Sequence, residues 1–236
     1  MASILVISPT PSHPQDAGNR ARIFSLLGAL KNAGHRVHFV FVASEAGDEA
    51  AMAVAWDGYD SLSYRRPGDR WLKKKFDRWL LKLGRSDVLP YRVDDWYTPD
   101  LAAQLQAIRD RVRPDVVLVE YVFLSRAFDC FGPGVLKILD THDIFGDRHS
   151  MYLDHGLKPV FFYTTRQQEK KGLDRADLIL AIQDEEAAHF KQLTHRKVMT
   201  VGHLVDFPAL TKPSGNSINR LLFVGSANHI NVDGIS

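Results

Sequence analysis

The sequence predicts a doubly wound α/β fold, a mostly parallel sheet with helices on both faces. Two observations predict it. Short aliphatic runs of strand length recur along the chain without polar alternation, as in strands buried on both faces. Segments with apolar residues at helical spacing fall between them, set off by Gly- and Pro-containing loops.

The first run is SILVIS, residues 3–8. A loop rich in Pro and polar residues follows, and then Ile23, Phe24, Leu26, Leu27 and Leu30 recur with helical period. That helix is expected to stop near Ala33-Gly34, where glycine accepts a left-handed backbone. RVHFVFVA, residues 36–43, is the next strand and completes one βαβ unit, expected to be right-handed. Leu101 to Val112 is an amphipathic helix with Thr98 or Asp100 near its start and Pro114 after its end. Strands are then expected at DVVLVE (115–120), VLKILD (135–140), ADLILAI (176–182) and KVMTV (197–201). Helices are expected over about 159–173 and over Asp184–Leu193, the second capped by Gln183 or Asp184. Residues 208–219 shift to Pro, Ser, Gly and Asn and read as a linker. RLLFVGS then restarts the strand-then-glycine pattern. Residues 1–207 are therefore expected to form one domain, and residues 220–236 to begin a second whose remainder lies outside this chain.

The 236 residues are 45% hydrophobic and 25% charged, enough for a sizeable core and unlike a disordered or low-complexity chain. The single cysteine, Cys130, excludes an intrachain disulfide framework and multi-cysteine metal sites, and its apolar neighbours make it an inert buried thiol. No apolar run reaches membrane-spanning length, and the start lacks the pattern of a secretory signal, so a cytoplasmic protein is expected. Charge is unevenly placed. Residues 64–85 hold nine basic side chains against two acidic ones, leaving the rest of the chain net acidic.

Within that basic stretch, WLKKKFDRWLLKLG sets its apolar residues on one helical face, with Trp71 and Trp79 among them. Lys73, Lys74, Lys75, Arg78 and Lys82 supply its charge. Such a helix suits an anionic membrane surface, which would place the protein on the inner face of the plasma membrane, or it is a docked helix with a solvated face. Nucleic acid is not expected as a partner, because basic residues elsewhere are outnumbered and no nucleic-acid-binding motif is present.

Candidate site residues cluster where strands hand over to loops, since ligands of open α/β sheets bind beyond strand C-termini. Gly18-Asn19-Arg20 opens the first helix, where glycine permits close backbone approach and an arginine can grip an anion, although the string is no dinucleotide fingerprint. Glu120 and Tyr121 end one strand, placed to hydrogen-bond hydroxyls. His142 and Asp143 follow another, a pair able to bind hydroxyls or move protons near neutral pH, or else to tie a loop. Asp140, His142, Asp143, Asp147 and His149 form a local run of metal-competent side chains, which leaves a metallohydrolase as a rival reading. No second such cluster accompanies it, so no metal site is assigned. A nucleophilic serine elbow is absent.

Taken in order, several motifs resemble the retaining glycosyltransferases of family four, the group-one glycosyl transferases. They are the opening strand with its Pro-rich loop ending in Gly18-Asn19-Arg20, GHRV at 34–37, ILDTHDIFGDR, LDRADLILAIQDEEAAHF, VGHLVDF and RLLFVGSANHINVDGI. The resemblance covers nearly the whole chain. It implies a GT-B arrangement, two Rossmann-like domains facing across a cleft, of which this chain holds the acceptor-side domain and the start of its mate. It implies sugar transfer from a nucleotide-sugar donor, held mainly by the second domain, to a saccharide or lipid-linked acceptor, as in cell-surface polysaccharide or glycolipid synthesis, with no cofactor. It also implies that His142, with Asp143 beside it, is catalytic and lies against the donor sugar. The family's donor-gripping glutamate pair has no counterpart in these residues, so the chain alone is expected to be inactive. A non-catalytic Rossmann-like module that binds a nucleotide or partner is the alternative.

Overall fold

In a computed structural model, which describes residues 1–67 and 90–204, fourteen elements follow one another. They are β1 (Ser3–Ser8), α1 (Gly18–Asn32), β2 (Arg36–Ala43), α2 (Glu49–Ala55), β3 (Gly58–Ser63), α3 (Pro99–Val112) and β4 (Val116–Glu120). A 3-10 helix (Val122–Cys130), β5 (Leu136–Asp140), α4 (Arg148–Asp154), α5 (Arg166–Leu173), β6 (Leu178–Ala181), α6 (Asp184–Leu193) and β7 (Lys197–Thr200) complete them. The seven strands form one sheet in the order β3-β2-β1-β4-β5-β6-β7. Every neighbouring pair is parallel.

The strand order reverses between β1 and β4. Right-handed crossovers on opposite sides of that reversal must lie on opposite faces of the sheet. The core divides accordingly. On one face Ile4, Val6, Val37, Phe39 and Phe41 pack with Ile23 and Leu27 of α1 and with Met52 and Trp56. On the other, Leu5, Ile7, Val40, Val117 and Val119 pack with Leu101, Leu105 and Ile108 of α3, Phe123 and Phe128 of the 3-10 helix, and Phe190 of α6. Successive residues of β1 thus alternate between two cores, which is why its sequence shows no polar alternation. Each such aliphatic side chain contributes about 1.5–3 kcal/mol when fully buried.

The helix ends obey local chemistry. Thr98 caps α3 by accepting from the Leu101 N–H at 3.2 Å. The helix closes at Arg113, whose φ of +48° precedes Pro114. Asp48 caps α2 through the Ala51 N–H at 2.9 Å. Gln183 occupies the cap position of α6 without a side-chain cap bond.

The sequence pattern did not reveal α2, β3, α4 or the 3-10 helix. β3, GYDSLS, is an edge strand with a single buried residue, Leu62, so its apolar signal is weak. β7 is the opposite edge and is mostly exposed. The helix expected over 159–173 spans only Arg166–Leu173. Ahead of it Phe161 has a φ of +61°, Phe162 is fully buried, and Thr164 is bound on both sides. Its hydroxyl donates to the Tyr91 carbonyl at 2.5 Å and its N–H to the Phe145 carbonyl at 3.0 Å. Those partners hold an extended segment, and Thr165 caps the helix that follows by accepting from the Gln168 N–H.

The basic segment with Trp71, Lys73, Lys74, Lys75, Arg78, Trp79 and Lys82, the linker at 208–219 and the restart at 220–236 lie outside the described residues. Among the described residues no helix is long and apolar enough to cross a membrane.

The extended course of 159–165 has a direct test. Phe162→Ala is expected to cost about 3–5 kcal/mol in urea unfolding, and the half-exposed Leu157→Ala under about 0.5 kcal/mol. Equal costs would contradict this burial pattern.

Candidate functional site

At the reversal of strand order the C-terminal ends of β1 and β4 lie side by side while their chains leave toward opposite faces. Such a switch point opens a crevice. Four ionisable side chains converge behind it: Arg22 from α1, Glu120 from the end of β4, Asp140 from the end of β5, and His142 just beyond. All four are buried.

Arg22 donates from Nε and Nη2 to the two Asp140 oxygens, each at 2.9 Å. Its Nη1 donates to the carbonyls of Val201 at 2.6 Å and Gly202 at 3.1 Å. One guanidinium therefore joins α1, β5 and the segment that follows β7. Glu120 sits opposite Asp140 in the β4–β5 register, and its Oε2 lies 2.5 Å from His142 Nε2. The same imidazole nitrogen is 3.8 Å from an Asp140 oxygen.

Charge balance fixes how many protons this cluster holds. Arg22 and Asp140 cancel, so Glu120 and His142 are neutral together only when they share one proton. Removing it would leave a buried uncompensated anion, which is costly. Burial pushes the Glu120 carboxyl upward, and the neighbouring Asp140 pushes it further, against the hydrogen bond from His142. Burial pulls the His142 imidazole down, but Asp140 and Glu120 outweigh it and hold it above its ordinary value. Both directions mean that the shared proton is retained.

The backbone beside this cluster is unusual. Tyr121 and His142, the residues near the ends of β4 and β5, have φ of +70° and +61°. Non-glycine residues in that region concentrate at functional sites. Their rings stack with centroids 4.3 Å apart and planes 14° from parallel. Glu120 Oε1 and His142 Nδ1 are buried without a hydrogen-bond partner.

In front of Tyr121 lies a cavity of about 90 Å³. Thr10, Asn19, Ser44 and Glu45 give it a polar side, and Trp96, Phe123, Leu124 and Phe161 an apolar one. Asn19 Nδ2 donates to the Tyr121 hydroxyl at 2.9 Å.

Of the residues singled out from sequence, the structure pairs Glu120 with His142 and Asn19 with Tyr121. Gly18 begins α1, and a Cβ there would meet open space. Arg20 turns away: it pairs with Asp16 at 3.2 Å, the Ala46 carbonyl at 3.0 Å and Glu45 at 3.5 Å, tying α1 to the loop after β2. Asp143 accepts from the Ile144 N–H and from Arg148, so it organises its own loop. That loop is further held by the buried Glu169, whose Oε1 accepts from the Phe145 N–H at 2.7 Å. Burial pushes the Glu169 carboxyl up to about 7.

Arg22 was missed. Its signal was present, because Arg22 shares a helical face with Leu26 and Ala29 beside the Ile23–Leu27 stripe, which points an arginine at the sheet.

Of the run of metal-competent residues, Asp147 pairs with Arg166 at 3.0 Å. Among the described residues, only Glu120, Asp140 and His142 bring three metal-competent ligand atoms within 4.8 Å of one another. Because Asp140 commits both oxygens to a guanidinium, this donor set does not suit a divalent cation.

No protein-family model and no curated protein matches this chain. Solved structures do. Sucrose-phosphate synthase from Thermosynechococcus elongatus matches 86% of this chain with 48% of its own, at a TM-score of 0.53 and 12% identity. The glycotransferase of kitacinnamycin matches 91% of this chain with 55% of its own, at 0.51 and 15% identity. The chain is thus a Rossmann-like α/β domain of the kind found in these glycosyltransferases, and it spans about half their length.

The shared proton makes a stability prediction. The folded pair keeps it above pH 6.5, the ordinary histidine value at which the unfolded chain releases it. Its contribution is therefore full below pH 6.5 and is lost as pH rises through the pair's own raised titration. The melting temperature should fall as pH rises above 6.5, and Glu120→Gln should flatten that decline. An unchanged slope in the variant would contradict the shared proton.

Proposed function

We propose that this chain is the acceptor-side half of a retaining glycosyltransferase that moves a sugar from a nucleotide-sugar to a hydroxyl acceptor. The observation that carries this reading is the convergence of Glu120, Asp140 and His142 at the C-terminal ends of β4 and β5, next to the switch point, with His142 Nδ1 buried and unpartnered. A sugar hydroxyl is the kind of group that would complete that nitrogen, with Glu120 fixing the ring from its other side. A second domain, beginning within residues 220–236, would hold the nucleotide.

In the transfer, the bond between the anomeric carbon and the donor's phosphate oxygen breaks. A bond to the acceptor oxygen forms on the same face, and the acceptor's proton passes to the departing diphosphate. Neither event requires His142 to change its proton count, which suits a group locked in a neutral cluster. His142 orients the sugar, Asn19 and Tyr121 line the acceptor side, and Asp143 holds the loop that carries His142. The basic segment of residues 71–82 would bring the protein to an anionic lipid surface.

In the full-length protein, His142→Ala should lower kcat by at least about tenfold. The 236-residue chain alone should neither transfer sugar nor bind nucleoside diphosphates in calorimetry. An unaffected kcat would remove His142 from the reaction. Tight nucleotide binding by this chain would favour a nucleotide-binding module instead.

A further inference from the structure

The cavity in front of Tyr121 is built differently from a saccharide groove. Sugars present hydroxyls on every edge, so even where an aromatic ring stacks on a sugar's C–H face, polar side chains surround the rest. Here Trp96, Phe123, Leu124, Val42 and Phe161 form a continuous apolar side. Trp96 meets Phe123 edge-to-face at 4.8 Å and Phe161 at 5.4 Å. Phe161 is 46% exposed and holds a φ of +61°, a backbone that a bulky side chain rarely adopts. That conformation sets an aromatic ring at the edge of the cavity.

Both signs of charge stand at the cavity, Glu45 on its polar side and Arg66 on its aromatic one. Glu45 is paired with Arg20. The guanidinium of Arg66 lies 4.1 Å from the Trp96 ring centroid and 5.8 Å from that of Phe161, and among the described residues no carboxylate pairs with it. It is an exposed cation resting on the aromatic wall, with donors directed by a planar fork suited to a carboxylate. Across the cavity stand Thr10, Asn19, Ser44 and the Tyr121 hydroxyl. A volume of about 90 Å³ has no room for an oligosaccharide.

We infer that this cavity binds a hydroxylated aromatic ring bearing a carboxylate, the ring against Trp96, Phe123 and Phe161, the carboxylate on Arg66, and the hydroxyl toward Asn19 and Tyr121. The inference rests on the glycosyl-transfer reading only for the role of that hydroxyl as acceptor; the binding itself does not depend on it.

Calorimetric titration of the 236-residue chain with 4-hydroxybenzoate, phenol and glucose tests it without any donor. The acid should bind most tightly and glucose not at all. Arg66→Gln, at an exposed position, should weaken the acid about tenfold and leave phenol unchanged, while Phe161→Ala should weaken both. Equal affinity for acid and phenol, an Arg66→Gln variant that binds the acid like the parent, absence of acid binding, or preferential binding of glucose would each overturn the inference. Sugar transfer by the full-length protein with no ring binding would overturn this inference alone. Ring binding with no transfer would overturn the proposed function alone.

Discussion

Four ionisable side chains buried together must sum to no net charge, and the centre of this domain is arranged around that requirement. Arg22 and Asp140 meet through two hydrogen bonds of 2.9 Å, and Glu120 and His142 share a proton at 2.5 Å. Neither pair stands alone. His142 also approaches Asp140, and Arg22 also reaches the carbonyls of Val201 and Gly202. The cluster therefore links α1, β4, β5 and the chain beyond β7, elements from both sides of the strand reversal. It also backs the crevice, because the imidazole that Glu120 fixes is the ring on which Tyr121 stacks.

Much of the fold was readable because a parallel sheet covered on both faces leaves an unmistakable trace. Runs such as SILVIS and DVVLVE have no polar alternation, since each residue meets one core or the other. Where burial is one-sided the trace fades. GYDSLS at the sheet edge and the short helices were not legible, though Asp48 ahead of Glu49–Ala55 was a usable cap signal. The segment at 159–165 misled for another reason. Its consecutive aromatic residues run directly into the helix that follows, but the fold uses them in a run pinned by Thr164 to Tyr91 and Phe145.

The site was legible in position more than in partnership. Strand ends pointed to Glu120, Tyr121 and His142, and the start of α1 to Asn19. The inward arginine was not singled out: Arg20 ties a loop, whereas Arg22, two residues on, enters the cluster. Two residues along a helix turn a side chain by about 200°, so the choice depends on phase against the apolar stripe. The aromatic cavity was invisible to sequence because its walls come from segments after β1, β2, β3 and β4 and from the loop before α5, brought together only by the sheet order.

The most direct test of the central cluster is a double-mutant cycle on Arg22→Met and Asp140→Asn, followed by urea unfolding of the chain. Each single change strands a buried charge and should cost about 3–5 kcal/mol. The double variant should cost less than the sum by at least about 2 kcal/mol. Small and additive costs would show that the two side chains are not a mutually compensating buried pair, and the account of this domain would fail at its centre.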